Sequence, residues 1–399
     1  MISPAGDVGA ARRFGDAQAD RGRSEALSEP PHRHRRRAAP QPRRAEGILG
    51  RLRTAEAIEI ARDWVARYAA EHPEFLAAHL MGAITSMSAD TEFPPDSDLD
   101  MMLVVDGPTI TKDPLDEFYR GMAIEAGLRG KEEYDSADKV LANPEIADHI
   151  AAGAILSDPT GLLGAIQPAV AREFARQHWV RERCAEEKRR YEMSIAGVAE
   201  SREPMEALIL MTLAIHNLAS VVPVAQLVPP THRKSLVLLR RELDATGRLD
   251  LFEEVLEVSG VAGLTVAQVQ SYADRTAQAF DRAIQVHRTR VPFDFKLRPH
   301  LRPYLIDGSQ SLIDMGHHRE AMPWIAAGLF LCCSVLLVDA PESERPRYAA
   351  LRDDLLQDMG FGDAANRSLR LRHADRVKES IYALADEIVA SRPDELVNV

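Results

Sequence analysis

The stretch that most constrains the fold runs from Gly82 to Asp106, because it places acidic residues directly beside a core strand. Its sequence is GAITSMSADTEFPPDSDLDMMLVVD. Asp98 and Asp100 flank Leu99 and lead into a run of apolar residues that predicts a buried strand. Residues i and i+2 of a strand point to the same face, so the two carboxylates lie side by side, about 6.5–7 Å apart. Two like charges held in this way need a counter-ion, and a divalent metal is the simplest one.

A third carboxylate lies in the next apolar segment. The run of residues 119–128, YRGMAIEAGL, predicts a strand, and Glu125 stands between apolar neighbours in it. A charge in a core strand needs a partner, and convergence on the same metal as the two aspartates supplies one. Glu132 and Glu133 are rivals for this role, but their segment resembles a solvated strand end. We therefore predict a metal site made of Glu125 and the two aspartates.

The loop before the acidic strand has features that suit a phosphate. Gly82 follows the first predicted strand, and it lacks the Cβ that would obstruct a close approach. Thr85 and Ser86 supply hydroxyl groups just after it, and Ser97 directly precedes the first aspartate. The loop can therefore pass close to a phosphorylated ligand.

The apolar pattern divides the chain into a mixed first part and a helical second part. Before residue 162 it predicts, in order, a helix from Thr54 that Pro73 stops, a strand over 75–81, the acidic strand, a turn or short helix over 113–118, the strand over 119–128 and a helix over 136–150. From there onward the periodicity is almost only helical. The expected fold class is α+β, a small mixed sheet followed by a mostly helical domain.

Four segments follow from these patterns. Residues 1–53 form an extension, 54–162 the sheet domain, 163–290 a helical domain and 291–399 a second helical block, either separate or continuous with the first. The extension is rich in Ala, Arg, Pro and Gly without apolar periodicity, so we expect it to be disordered. Its basic run over 32–37 is either an arm for nucleic acid or another anionic surface, or part of a dispensable extension.

Charge is distributed unevenly, which bears on the partners. Residues 1–53 hold 12 Arg and 6 acidic residues, whereas the rest of the chain holds 37 basic and 55 acidic residues. An acidic body argues against sequence-independent nucleic-acid binding, which needs a basic face. It suits cationic small molecules better.

Cysteine usage and hydropathy bear on the compartment. The three cysteines include the adjacent pair Cys332 and Cys333 inside an apolar run, so no disulfide framework is indicated. The first fifty residues contain no apolar core of a signal peptide. The longest apolar run, over 324–338, is short for a membrane span and is typical of a buried helix. We expect a cytoplasmic protein that does not bind membranes.

The combination of a glycine loop, the run S-D-L-D-M-M over 97–102, the I-E-A of 124–126 and a following helical domain resembles the polymerase-β-like nucleotidyltransferases. The likeness is greatest to small-molecule members such as kanamycin and streptomycin nucleotidyltransferases. It covers about residues 54–290 and is specific over 80–160; the I-L-S-D-P-T-G run of 155–161 extends it.

The resemblance implies a reaction and a set of site residues. A nucleoside monophosphate, most often AMP from ATP, would move from an NTP to a hydroxyl of a small molecule such as an antibiotic or another natural product. Two Mg²⁺ ions would bridge the phosphates and the acids. The residues it implies are Asp98, Asp100 and Glu125 for catalysis and metal binding, and Gly82, Ala83, Thr85, Ser86 and Ser97 for the nucleotide. Relatives that complete their site across a dimer make a homodimer an expectation of the same kind.

Two departures from the family pattern concern the site. Ala83 stands where the family has a phosphate-binding serine, and Thr85 or Ser86 would have to substitute. The kanamycin enzyme also carries a catalytic carboxylate on its helical domain, and an ungapped comparison places His216 there. This histidine is either the general base or an ordinary buried histidine between apolar neighbours.

Two other functions remain open. The first is a catalytically inactive module that senses a nucleotide or binds a protein, as antitoxins built on minimal nucleotidyltransferase domains do. Ala83 favours this reading, whereas retention of all three acids argues against it, because buried carboxylates without a metal destabilise a core. The second is polymerisation onto RNA ends, which needs a basic track that the acidic body lacks.

Overall fold

The computed structural model describes residues 52–392, with side chains placed everywhere except at residues 111–114. Most of the predicted N-terminal extension, including the basic run over 32–37, lies outside the described residues. Within them the fold is a mixed α+β structure with a small sheet and a large helical part.

A five-stranded mixed sheet forms the first part of the structure. Its strands are β1 (Phe75–Leu80), β2 (Leu99–Val105), β3 (Ile110–Tyr119), β4 (Met122–Gly130) and β5 (Ile155–Ser157). Their order across the sheet is β3-β4-β2-β1-β5. The central pair β2–β4 is parallel, and the other three pairs are antiparallel. Helix α1 (Thr54–Glu71) precedes the sheet, at the position that the apolar spacing predicts.

Alternation along β2 fixes which face carries the acids. Leu99, Met101 and Leu103 pack in one hydrophobic cluster with the buried face of α1. Val104 belongs to a second cluster on the opposite face. Since side chains of a strand alternate between faces, Asp100 lies on the same face as Val104, at the end where the strand begins.

The segment 113–118, predicted to be a turn or a short helix, is instead part of β3, and that prediction is wrong. β3 pairs with β4 in a hairpin whose turn is Arg120 and Gly121, both with positive φ (47° and 87°). β4 accordingly begins at Met122 rather than at residue 119. The segment contains a proline and several acids, which are rare in central strands, but β3 lies at the edge of the sheet, where they are tolerated.

The helix predicted over 136–150 is two short helices, α2 (Ala137–Ala142) and α3 (Ala147–Ala151). Pro144 lies in the break between them, in keeping with its missing N–H. Ser136 caps α2 by accepting a hydrogen bond from the backbone N–H of Lys139 at 3.3 Å.

The rest of the described chain is helical. Its helices are α4 (Leu162–Glu173), α5 (Gln177–Glu200), α6 (Pro204–Ala225), α7 (Ser235–Ala245), α8 (Leu249–Ser259), α9 (Val266–Val286), α10 (Gly308–Asp314), α11 (His318–Asp339), α12 (Arg345–Asp358) and α13 (Ala364–Ala390). Between α9 and α10 the Pro-rich segment 291–303 forms short 3₁₀ turns.

One hydrophobic cluster runs through the helical part, from Val180 on α5 to Val389 on α13. It takes residues from both sides of the segment 291–303. Two helices of the described chain, α6 and α11, are long and apolar enough to cross a membrane, but core helices of other proteins meet the same criterion. The apolar window of α6 is 78% buried within the described structure, and that of α11 is 56% buried.

Candidate active site

Three carboxylates converge at the end of the sheet where β2 and β4 begin. Asp98 and Asp100 come from the start of β2, and the parallel register places Asp100 beside Glu125 of β4. One carboxylate oxygen from each residue lies within 4.8 Å of the others. We call these three residues the acid cluster. Sequence alternation predicted that the two aspartates lie side by side, and the isolated acid in an apolar run predicted Glu125 as their partner. In the structure the three meet because β2 and β4 run parallel.

Burial makes the negative charges of the acid cluster unfavourable unless a cation compensates them. Asp98 and Glu125 are only 8% and 3% exposed. Burial, together with the charge of Asp100, raises the pKa of Asp98 to about 7. The Oδ2 atom of Asp98 has no hydrogen-bond partner among the described residues. The cluster therefore gains stability from any cation that reaches it.

Gly82 lies directly against the acid cluster. Its φ is +72°, and a Cβ at this position would be 3.0 Å from Oδ2 of Asp100. The preceding backbone N–H, of Met81, donates to the carbonyl oxygen of Asp100 at 2.9 Å. Both the left-handed backbone and the contact require glycine here. In the sequence this residue suggested room for a phosphate; in the structure its nearest neighbour is an acid of the cluster.

The hydroxyl groups predicted to assist at this loop are used inside it. The hydroxyl of Thr85 donates to the carbonyl oxygen of Gly82 at 2.8 Å, and that of Ser86 donates to the carbonyl oxygen of Ala83 at 3.0 Å. They close the 3₁₀ turn Ala83–Ser86. Gly82, Ala83 and Ser97 line the cavity beside the acid cluster, whereas the structure does not bring Thr85 and Ser86 to its wall.

The ammonium group of Lys296, which the sequence reasoning missed, donates to Oε2 of Glu125. Lys296 belongs to the segment 291–303, and its side chain is 7% exposed. Burial lowers the pKa of Lys296, while the negative charges of Asp98 and Asp100 oppose this shift. The acid cluster thus contains one cation from the helical part of the chain.

The same segment reaches a fourth acid. Nε2 of His300 lies 2.7 Å from Oδ1 of Asp116, which is directly opposite Glu125 in the β3–β4 register. Asp116 was missed because its strand was predicted to be a turn. The contacts of Lys296 with Glu125 and of His300 with Asp116 therefore join this segment to the neighbouring strands β4 and β3. At the start of the segment, Arg290 and the backbone N–H of Val291 donate to Asp294.

A cavity of about 140 Å³ adjoins the acid cluster. Its first wall consists of the cluster's aspartates and the Gly82 loop. The second wall comes from the helical part: Glu187 and Arg190 of α5, His216 of α6 and the loop of residues 230–234. A ligand in this cavity would therefore contact the aspartates on one side and the helical part on the other.

His216 lies in this cavity, but in a neutral state. Its ring stacks on that of His232 with 4.3 Å between the centroids. Burial, reinforced by the charge of Arg190, lowers the pKa of His216 to about 4. Nδ1 of His216 has no hydrogen-bond partner among the described residues. The histidine therefore faces the cavity with an uncharged ring at neutral pH.

Glu187 is a second cavity residue that the sequence reasoning missed. It is 1% exposed, and burial raises its pKa to about 8, although Arg190 opposes the shift. A signal for its burial exists in the sequence: Glu187 falls on the apolar stripe of α5 that contains Val180, Cys184 and Tyr191. The many charged residues of α5 make this apolar periodicity difficult to recognise in the sequence.

A buried ion network fixes the second wall to the sheet domain. Arg190 donates to Glu145 at 2.7 Å and to Glu186 at 2.8 Å. Arg129, at the end of β4, donates to the other oxygen of Glu145. The two arginines hold the pKa of Glu145 below its ordinary value against the effect of burial. Glu145 therefore joins β4 to α5 as a fully charged acceptor.

Arg233 connects the loop before the acid cluster with the helical part. Its guanidinium donates to the carbonyl oxygen of Asp96 at 3.1 Å and to that of Tyr304 at 2.8 Å. It also stacks over the ring of Tyr304, with 5.2 Å to the centroid. Arg233 thus helps to fix the chain that enters Asp98.

The acid cluster suits a hard divalent cation. Mg²⁺ prefers oxygen ligands at about 2.1 Å, so two ligand oxygens on one ion lie at most about 4.2 Å apart. The observed upper limit of 4.8 Å requires only a small contraction. The unpartnered Oδ2 of Asp98 is available as a ligand, and the contact of Lys296 with Glu125 would have to loosen or share that carboxylate.

No protein-family model matches this chain, and no curated protein matches it significantly.

Proposed function

We propose that this protein is a Mg²⁺-dependent nucleotidyltransferase that moves a nucleoside monophosphate, AMP from ATP in the simplest case, to a hydroxyl group of a small molecule. The observation that carries this proposal is the convergence of Asp98, Asp100 and Glu125 beside Gly82, at a cavity that the helical part closes. The proposal includes a cytoplasmic location, and an NTP and a hydroxylated small molecule as partners.

The reaction needs little covalent chemistry from the protein. The acceptor oxygen attacks the α-phosphorus, the bond from that phosphorus to the bridging oxygen breaks, and pyrophosphate leaves with that oxygen. Mg²⁺ held by the acid cluster would neutralise the triphosphate and lower the pKa of the acceptor hydroxyl. Positioning of the substrates and neutralisation of their charge dominate such transfers. A compact acid cluster beside a cavity can contribute to both.

The proton of the acceptor hydroxyl needs a destination. His216 lines the cavity and remains the predicted base, and its Nδ1 has no hydrogen-bond partner among the described residues, but a pKa near 4 makes it a weak proton acceptor. Glu187 on the same wall has the higher pKa, about 8, so it is already protonated at neutral pH and does not take up another proton. We therefore assign the proton to His216, whose neutral ring has one unprotonated nitrogen.

A second function is favoured by one specific observation. Lys296 supplies a cation to the acid cluster, so retention of three buried acids no longer requires a metal. Together with Ala83, this contact supports a catalytically inactive module that senses a nucleotide or binds another protein. The two functions differ in whether the acid cluster exchanges Lys296 for a metal ion.

The experiment that separates them follows the transferred phosphorus. The protein is incubated with Mg²⁺, α-labelled NTPs and a panel of hydroxylated compounds, and both pyrophosphate release and label transfer are measured. The enzyme reading predicts acceptor-dependent release that Asp98→Asn and Asp100→Asn abolish. Binding of Mg·ATP without any release across the panel supports the module, and absence of Mg·ATP binding excludes the enzyme.

A further inference from the structure

The second wall of the cavity contains several polar atoms without hydrogen-bond partners among the described residues. They are Oε2 of Glu187, Nδ1 of His216 and Oγ1 of Thr231. All three residues line the same cavity as Asp98 and Asp100, and Glu187 is almost fully buried. Buried polar atoms in native proteins are nearly always paired, so three in one wall point to a polar ligand that pairs with them.

Around Glu187 and His216 this wall carries little free charge, whereas Lys234 lies at its exposed side. Arg190 is already engaged by Glu145 and Glu186. Glu187 is protonated at neutral pH because burial raises its pKa, and His216 is uncharged because burial lowers its pKa. A cationic ligand would meet the guanidinium of Arg190 on this side, and the aspartates that could attract it lie on the opposite wall of the cavity.

The size of the cavity limits what can enter. At about 140 Å³ it is close to the roughly 150 Å³ of a cavity that accommodates benzene. A single five- or six-membered ring fits between the walls, whereas a chain of several rings must leave most of its length outside. Hydroxyl groups suit the three unpaired atoms because each hydroxyl can both donate and accept.

We propose that the wall formed by Glu187, His216 and Thr231 is a subsite for an uncharged ring that carries hydroxyl groups, and that this ring belongs to the acceptor. The assignment to an acceptor rests on the proposed nucleotidyl transfer. The ring would pair its hydroxyls with the three side chains and present a further hydroxyl toward the acid cluster. Selection would therefore favour a neutral sugar or cyclitol over its amino analogue.

Binding without turnover tests the subsite. Ligand-observed NMR, without nucleotide or metal, compares glucose and myo-inositol with glucosamine, whose amine replaces one hydroxyl of glucose. The expected result is binding of a neutral ring to the wild-type protein, at least tenfold weaker binding of glucosamine, and loss of neutral-ring binding in Glu187→Leu and His216→Phe. Glu253→Gln, which changes an exposed acid that pairs with Arg319, is the control and keeps the binding.

The variant Glu187→Gln separates a neutral ligand from a cationic one. An amide resembles a protonated carboxyl group, so the neutral ring should bind Glu187→Gln within a few-fold of wild type. Preferential binding of glucosamine that Glu187→Gln abolishes would overturn the proposal. Absence of binding by either neutral ring would also overturn it.

Competition distinguishes the acceptor from the nucleotide, whose ribose is also a hydroxylated ring. Metal-free ATP that displaces the bound ring would assign the wall to the ribose and overturn the acceptor subsite. Ring binding by a protein that never releases pyrophosphate leaves the subsite standing as a binding site while the transferase proposal fails. Pyrophosphate release by a protein that binds neither neutral ring would support the transferase proposal and overturn the subsite.

Discussion

The ammonium group of Lys296 contacts Oε2 of Glu125, although 171 positions separate the two residues in the chain. A residue of the helical part therefore supplies a cation to acids of the sheet. Any metal that binds the acid cluster must compete with this ammonium group or share the carboxylate with it. The contact thereby links metal binding to the position of the segment 291–303.

Replacement of Lys296 by methionine should make the metal-free protein less stable and its response to Mg²⁺ larger. Removing one partner of a buried ion pair costs about 3–5 kcal/mol, because the remaining charge stays buried without compensation. Mg²⁺ would then replace the lost cation without competition. Thermal unfolding with and without Mg²⁺ measures both effects.

Lys188→Met is the matched control, since Lys188 pairs with Asp386 on α13 and not with the acid cluster. It should leave the stabilisation by Mg²⁺ unchanged. An equal response to Mg²⁺ in Lys296→Met and wild type would show that Lys296 does not compete with the metal.

Gly82→Ala should weaken Mg²⁺ binding by the acid cluster in addition to lowering the stability of the protein. Gly82 combines φ +72° with ψ −164°, a backbone conformation that is essentially restricted to glycine, and the new Cβ would press on Oδ2 of Asp100. Gly247→Ala also introduces alanine at a positive φ, +71°, but no atom lies within 4 Å of its Cβ. Urea unfolding should show a loss of stability in both variants, larger in Gly82→Ala, and calorimetry should show weaker Mg²⁺ binding only in Gly82→Ala. Equal Mg²⁺ affinities would mean that Asp100 does not bind the metal in this position.

Glu187 should make stability fall as pH rises. Its pKa is about 8 in the folded protein and 4.5 ordinarily, so between these values the folded protein keeps a proton that the unfolded chain has released. Raising the pH then favours unfolding, by an amount on the order of a few kcal/mol across this range. Glu187→Gln should remove this part of the pH dependence, seen as a difference between the two stability curves from pH 5 to 8. Parallel curves would contradict burial of an uncharged Glu187.

Arg190→Met should destabilise the protein by about 3 kcal/mol, because it removes one of the two cations that compensate the buried charge of Glu145. The neighbouring residue gives a matched control: Arg189 pairs with Glu186 at the surface, with a side chain that is 54% exposed. Arg189→Met should cost less than about 1 kcal/mol. Chemical unfolding of both variants measures the difference, and similar losses would show that the network does not join the sheet to α5.

Local sequence patterns predicted what depends on neighbouring residues. The alternation around Asp98 and Asp100 and the acid within an apolar run at Glu125 were enough to predict three converging carboxylates. Asp116 was not predicted as a site residue because its segment contains acids and a proline, which have low strand propensity. An edge strand tolerates these residues, and β3 is such a strand. The breaks in long helical patterns, such as the one at Pro144, shifted element boundaries without altering the fold class.

Features that depend on long-range packing were out of reach. Lys296 lies in a Pro-rich segment whose pattern indicates only a connection, and nothing local shows that it reaches the sheet. Glu187 stands among charged residues of α5, and only its place on the apolar stripe distinguishes it from a surface acid. The proposed roles of these residues, of the metal and of the nucleotide remain predictions.

Calorimetric titration of Mg²⁺ with ATP is the most direct test of the central claim, that Asp98, Asp100 and Glu125 hold a divalent metal beside a nucleotide. The account predicts binding to the wild-type protein that depends on Mg²⁺, and its loss in the double variant Asp98→Asn, Asp100→Asn, whose fold circular dichroism confirms. ATP binding that is the same with and without Mg²⁺, or that survives in the folded double variant, would contradict the account.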